Sequence, residues 1–63
     1  IIKLLDAFPS GFDFVMVFNY MPSGLWEALK DSDRPLSVSI KKSYMKMLLQ
    51  GVAYMHNKNI MHR

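Results

Sequence analysis

Apolar side chains recur with helical spacing through the last third of the chain. From Ser37 onward, Ile40, Tyr44, Met47, Leu48, Val52 and Met55 follow the i, i+3, i+4 rule of a helix face. Met45, Leu49 and Ala53 widen that stripe, and only Lys42, Lys46 and Gln50 draw a polar line at steps of four. A helix this apolar needs neighbours on several sides. Ser37 is the expected N-cap; with Ile40 at N3, no capping box can form there. Asn57-Lys58-Asn59 is the expected end, because asparagine tolerates the left-handed conformation. Ile60 and Met61 then link to His62-Arg63.

The first third reads differently. Ile1–Phe8 has the length and β-branched start of a short strand, and Pro9-Ser10-Gly11 is a turn signal. Phe14–Phe18 is a second strand, with Phe14, Met16 and Phe18 on one face and Val15 and Val17 on the other. A strand apolar on both faces is expected to be covered on both. The two make a hairpin with a loop of about five residues. Asn19–Pro22 is an extended connector, because Pro22 biases Met21 toward β or polyproline geometry. Ser23 is the expected cap of a short helix starting near Gly24 and running through LWEALK. Asp31–Pro35 is a loop. No internal repeat or low-complexity tract interrupts this order.

Composition narrows the reading. Sixty-three residues make at most one small domain, able to cover only ~60% of the surface that its unfolded form exposes. There is no cysteine, hence no disulfide framework and no thiolate metal site. Hydrophobic residues make up 51% of the chain, which argues against disorder. No apolar run approaches the ~18 residues of a membrane span, and no signal-peptide pattern opens the chain. Lack of cysteine is compatible with a cytoplasmic and/or nuclear location. An all-round apolar helix and a first residue other than methionine are expected of a piece of something larger.

The net charge of +3 is uneven: residues 34–63 carry Arg34, Lys41, Lys42, Lys46, Lys58 and Arg63 and no acid. With two arginines, scattered lysines and no exposed aromatics expected between them, a solvated helix face is the expected reading and a nucleic-acid surface is not. His56 and His62 lie six positions apart, with no cysteine or acid at ligand spacing, and make a poor metal site. The six methionines read as core filler.

The order hairpin, connector, short helix, long helix, His-Arg resembles the middle of a eukaryotic protein kinase. It is most similar to the cyclin-dependent group and its cell-cycle-related subgroup, on the phrases IKLLDAFPSG, VFNYM, RPLS and KSYMKMLLQGVAYMHNKNIMHR. His62-Arg63 matches the first two positions of the catalytic-loop signature H-R-D-L-x-x-x-N and stops one short of the aspartate. The resemblance implies an α+β fold class: part of the bilobal kinase fold, with a β-hairpin, a hinge, a short helix and a long buried helix. It divides the chain into a small-lobe hairpin (1–18), a hinge (19–23) and the start of the large lobe (24–63).

The resemblance also implies the site. ATP is the implied cofactor, with Mg²⁺ held by ligands outside these residues. The carbonyl of Asn19 and the N–H of Met21 would face the adenine edge, and Tyr20 would point outward. Phe18, from its residue type alone a core aromatic, would be the bulky gatekeeper behind the adenine. Relatives usually carry glutamate where Asn19 stands and aspartate, near the ribose, where Gly24 stands; Ser23 is the expected substitute there. Leu4 and His62 would sit in the apolar column joining the lobes, and Arg63 would pair with a phosphate or acid on the activation loop. Trp26 would cover the short helix against the large lobe. The implied activity is transfer of the ATP γ-phosphoryl to protein serine or threonine. The glycine loop, the lysine–glutamate pair, the catalytic aspartate and the metal ligands all lie outside these residues, so this stretch alone is expected to be inactive. The implied partners are a protein substrate and a cyclin or other activator. A pseudokinase scaffold and an unrelated Met-rich helical interaction module are the competing classes.

Overall fold

The computed structural model describes all residues, Ile1–Arg63. It contains two strands, β1 (Asp6–Ser10) and β2 (Asp13–Val17), and two helices, α1 (Leu25–Lys30) and α2 (Val38–Asn57). The strands pair antiparallel, Asp6 opposite Val17, Phe8 opposite Val15 and Ser10 opposite Asp13.

The hairpin differs from its sequence expectation. The connection is two residues, Gly11 and Phe12, rather than about five, and β1 begins at Asp6 rather than Ile1. Gly11 explains the short connection. It adopts φ +60, and Phe12 does not join it at positive φ. A glycine at the first central position is what a two-residue II′ turn requires. The tight turn lets the ladder run to its rim and draws Pro9 into β1 opposite Phe14. Pro9 lacks an N–H, which a two-stranded edge tolerates. Upstream, Leu5 N–H still donates to the Val17 carbonyl at 2.8 Å. Phe18, expected to end β2, falls in the connector.

Helix α1 is capped by Gly24, not by Ser23. The Ser23 hydroxyl is turned to the Gly24 carbonyl at 3.4 Å. In its place Glu27, at N3, accepts the Gly24 N–H at 3.0 Å. That is one half of a capping box; glycine has no side chain for the other half. The Lys30 ammonium stands 3.9 Å over the Trp26 ring one turn on. Asp31 then accepts from the N–H groups of Asp33 and Arg34, an Asx turn that reverses the chain toward α2.

Helix α2 starts and stops as its residues dictate. The Ser37 hydroxyl accepts the Ile40 N–H at 3.2 Å. At the other end Asn59 is left-handed, φ 56. Asn59 N–H donates to the His56 carbonyl and Ile60 N–H to the Met55 carbonyl, the paired bonds of a Schellman motif. Asparagine takes the place usually held by glycine.

Alone, this chain cannot cover its apolar helix, and α2 is left exposed; the cover expected on both faces of β2 is not found either, and no residue of the chain is buried. Val15, Ala28, Leu36, Gly51, Val52 and Met55 are the most covered, each of them short of buried. The accessible surface is 6328 Å², whereas a compact protein of this mass, 7.3 kDa, exposes about 4200 Å². The radius of gyration is 15.8 Å, against about 10.6 Å for a compact chain of this length. The physical reason is simple: hairpin and helices present apolar faces, and the chain holds no second layer to close on them. Ile1 does approach α2: its Cγ1 lies 3.8 Å from the point where a Cβ on Gly51 would stand. No helix is long and apolar enough to cross a membrane.

Candidate functional site

The segment between β2 and α1 is where hairpin and helices meet. Asn19, Tyr20 and Met21 form neither helix nor strand, and none of their main-chain groups takes part in a hydrogen bond. Their side chains do not shield them: Tyr20 is 87% exposed and Met21 59%. A run with free N–H and C=O groups is able to bond a planar ligand that carries a donor next to an acceptor.

Beyond this run, Ser23 and Gly24 border an open cavity of about 440 Å³, completed by Leu25, Ala28, Tyr44 and Met47. The connector end thus joins the first turn of α1 and the middle of α2 at one concave place. Phe18, Asn19, Tyr20 and Met21 lie outside it and line no cavity. Phe18 is 42% exposed, so no space behind an adenine is closed by the residues present.

At the far end of α2, His62 borders a second hollow of about 410 Å³, with Leu48, Val52, Met55, His56, Ile60 and Met61. The Schellman turn aims the chain back along the helix and so places His62 against the apolar stripe. Arg63 follows at φ 60. No group of three or more His, Cys, Asp or Glu side chains is arranged to hold a metal ion. The Mg²⁺ that a phosphoryl-transfer site needs therefore has no ligand set here, whereas the free main chain of residues 19–21 fits an adenine edge.

One candidate was missed in the sequence. Glu27 stands against Gly24, its Oε2 only 2.9 Å from the position of a Cβ on that residue. The signal was present: a glutamate three positions after a cap residue is the spacing of a capping box.

Comparison with known proteins bears on what this arrangement belongs to. The family model described as "Protein kinase domain" matches residues 1–63. Cyclin-dependent kinase 20 of Danio rerio is 56% identical over 63 residues, covering 100% of this chain and 18% of the relative. Cyclin-dependent kinase 20 of Homo sapiens is 44% identical over the same 63 residues, again 18% of the relative. Cyclin-dependent kinase D-1 of Oryza sativa subsp. japonica is 40% identical, over 15% of its length. The chain thus spans under a fifth of the length of each of these three relatives. No solved structure matches. That family model covers the whole run of antiparallel hairpin, connector, short helix and long apolar helix ending in His-Arg, and the chain belongs to the protein kinase domain family.

Proposed function

We propose that this chain is the waist of a serine/threonine protein kinase of the cyclin-dependent type: small-lobe hairpin 1–18, hinge 19–23, start of the large lobe 24–63. The observation that carries the reading is the run Asn19–Met21, which lies in neither helix nor strand, is exposed, and has main-chain groups free of hydrogen bonds. The exocyclic amine of adenine donates to the Asn19 carbonyl, and the Met21 N–H donates to the neighbouring ring nitrogen. Because the contacts are main-chain, asparagine serves at residue 19 as well as an acid would. Phe18 backs the adenine once the rest of the small lobe surrounds it, and Tyr20 points outward. Ser23 and Gly24 lie where the base gives way to the sugar.

ATP supplies the phosphoryl group, and Mg²⁺, held by residues outside this chain, neutralises its charge. Arg63 offers a planar fork of donors to a phosphate or carboxylate on the activation loop. His62, beside the hollow along the α2 stripe, is a positioning group rather than a base. A protein serine or threonine is the acceptor, a cyclin or other activator the regulatory partner, and the cytoplasm and/or nucleus the place of action. The family relationship and the cyclin-dependent names of the relatives support this reading.

A phosphorylation assay tests it. The complete kinase chain is expected to move the γ-phosphoryl of ATP to serine or threonine of a protein substrate, and residues 1–63 alone to move none. Nucleotide binding without transfer by the complete chain would make it a scaffold instead. Transfer by the 63-residue chain would refute the division of labour set out here.

A further inference from the structure

We infer that the tip of the hairpin is a docking knob that seats in the hollow between α1 and α2 of a second copy of this chain. Phe12 supplies the ring, and Asp13 supplies a charge that meets Lys41 in the wall of that hollow. The inference concerns self-association and does not depend on the assignment of residues 19–21 to adenine.

The knob follows from the turn. Gly11 and Phe12 are the whole connection between β1 and β2, so Phe12 stands at the end of the ladder rather than on a face of it. Further strands extend a sheet sideways and further layers stack on its faces; both additions leave the tip free. Phe12 is accordingly the most exposed large apolar side chain of the chain. The turn itself does not call for phenylalanine, since a II′ connection asks only for glycine at its first position. A ring carried on a tight turn loses little freedom when it is buried against a partner.

The hollow has the matching size and sign. Leu25 and Leu29 of α1, Leu36, and Tyr44 and Leu48 of α2 wall a space of about 310 Å³, and Lys41 is its one charged lining residue. An apolar cavity of about 150 Å³ holds a benzene ring, so the Phe12 ring fits with room for the chain that carries it. Neither Asp13 nor Lys41 has a side-chain hydrogen-bond partner in its own chain. Charge is sorted the same way along the whole sequence: residues 1–33 carry five acids against two lysines, and residues 34–63 carry six cations and no acid. A hairpin approaching α2 of another copy therefore meets the opposite sign. The ring does not fill the hollow of its own chain, because β1 and β2 pack on each other and on neither helix. Knob and hollow are different surfaces, so the contact is heterologous and every copy carries both halves.

Sedimentation velocity of the complete kinase chain, up to about 0.1 mM, tests this. The unaltered protein is expected to associate reversibly as its concentration rises, and to do so less at high salt. Phe12→Ser should weaken association by about 10- to 100-fold, the size of one buried aromatic side chain. Asp13→Lys and Lys41→Glu should each weaken it by about tenfold. Mixing those two single variants should bring it back to within about threefold of the unaltered protein, because the altered knob of one copy then matches the altered hollow of the other. All three variants should keep the melting temperature, which separates a lost contact from a lost fold. A monomer at every concentration leaves the tip to a different protein and overturns the inference. Association that Phe12→Ser does not weaken, or a mixture that recovers nothing, overturns it as well.

Discussion

Met21→Pro in the complete kinase chain is expected to weaken ADP binding by about 10- to 100-fold, the cost of leaving a ring nitrogen without its donor. Proline removes one N–H and little else at this position. Residue 21 already precedes Pro22 and lies in neither helix nor strand, so no ladder or helical bond is broken. The contrast is as informative as the loss. Met21→Leu should stay within about twofold, because the side chain is 59% exposed and serves no contact that specifies the ligand. Asn19→Glu should behave the same way, since only the carbonyl is used. Calorimetry on the three variants decides the matter. A large effect from Asn19→Glu, or none from Met21→Pro, would mean that side chains rather than main chain recognise the base.

The second large effect concerns residues 1–63 in isolation. They are expected to show helical circular dichroism without a cooperative thermal transition, and to bind ANS strongly. Each ordered residue costs about 1–2 kcal/mol of conformational entropy. That cost is offset by removing apolar surface from water, and here no residue is buried. Twenty residues of α2 with a serine cap and a Schellman end give local helix but no tertiary core. The exposed faces of Ile40, Tyr44, Met45, Met47, Leu48 and Leu49 are the surface that ANS or a second chain would cover. A sharp, reversible melt of a monomeric 63-residue chain would contradict this and would favour a self-sufficient helical module.

Much of this arrangement was legible in the residues because the forces that set it are local. Ser37, Asn59 and the stripe between them fix both ends of α2 without reference to the rest of the chain. Gly11 marks the turn, but its consequence, a two-residue II′ connection rather than a five-residue loop, depends on φ at two positions and not on composition. Pro9 then enters the strand against its usual preference, since the tight turn carries the ladder past it. Serine outranks glycine as a cap on propensity, so Ser23 was the natural choice for α1. Glu27, reaching back three residues, favoured Gly24 instead. Burial was the least legible property. Apolar residues state that a helix wants cover, and nothing within the chain supplies it. The candidate site divides along the same line. The free main chain of residues 19–21 follows from Pro22 and the break in pattern after Phe18. The Gly24–Glu27 contact needed coordinates.

The most direct measurement is hydrogen exchange at the Met21 amide in the complete kinase chain, with and without saturating Mg²⁺-ADP. A free amide in this connector should exchange quickly alone and slow markedly with nucleotide, while the neighbouring Tyr20 amide changes little. Tight nucleotide binding that leaves the Met21 amide exchanging as fast as before would contradict the assignment of this connector as the adenine-binding edge.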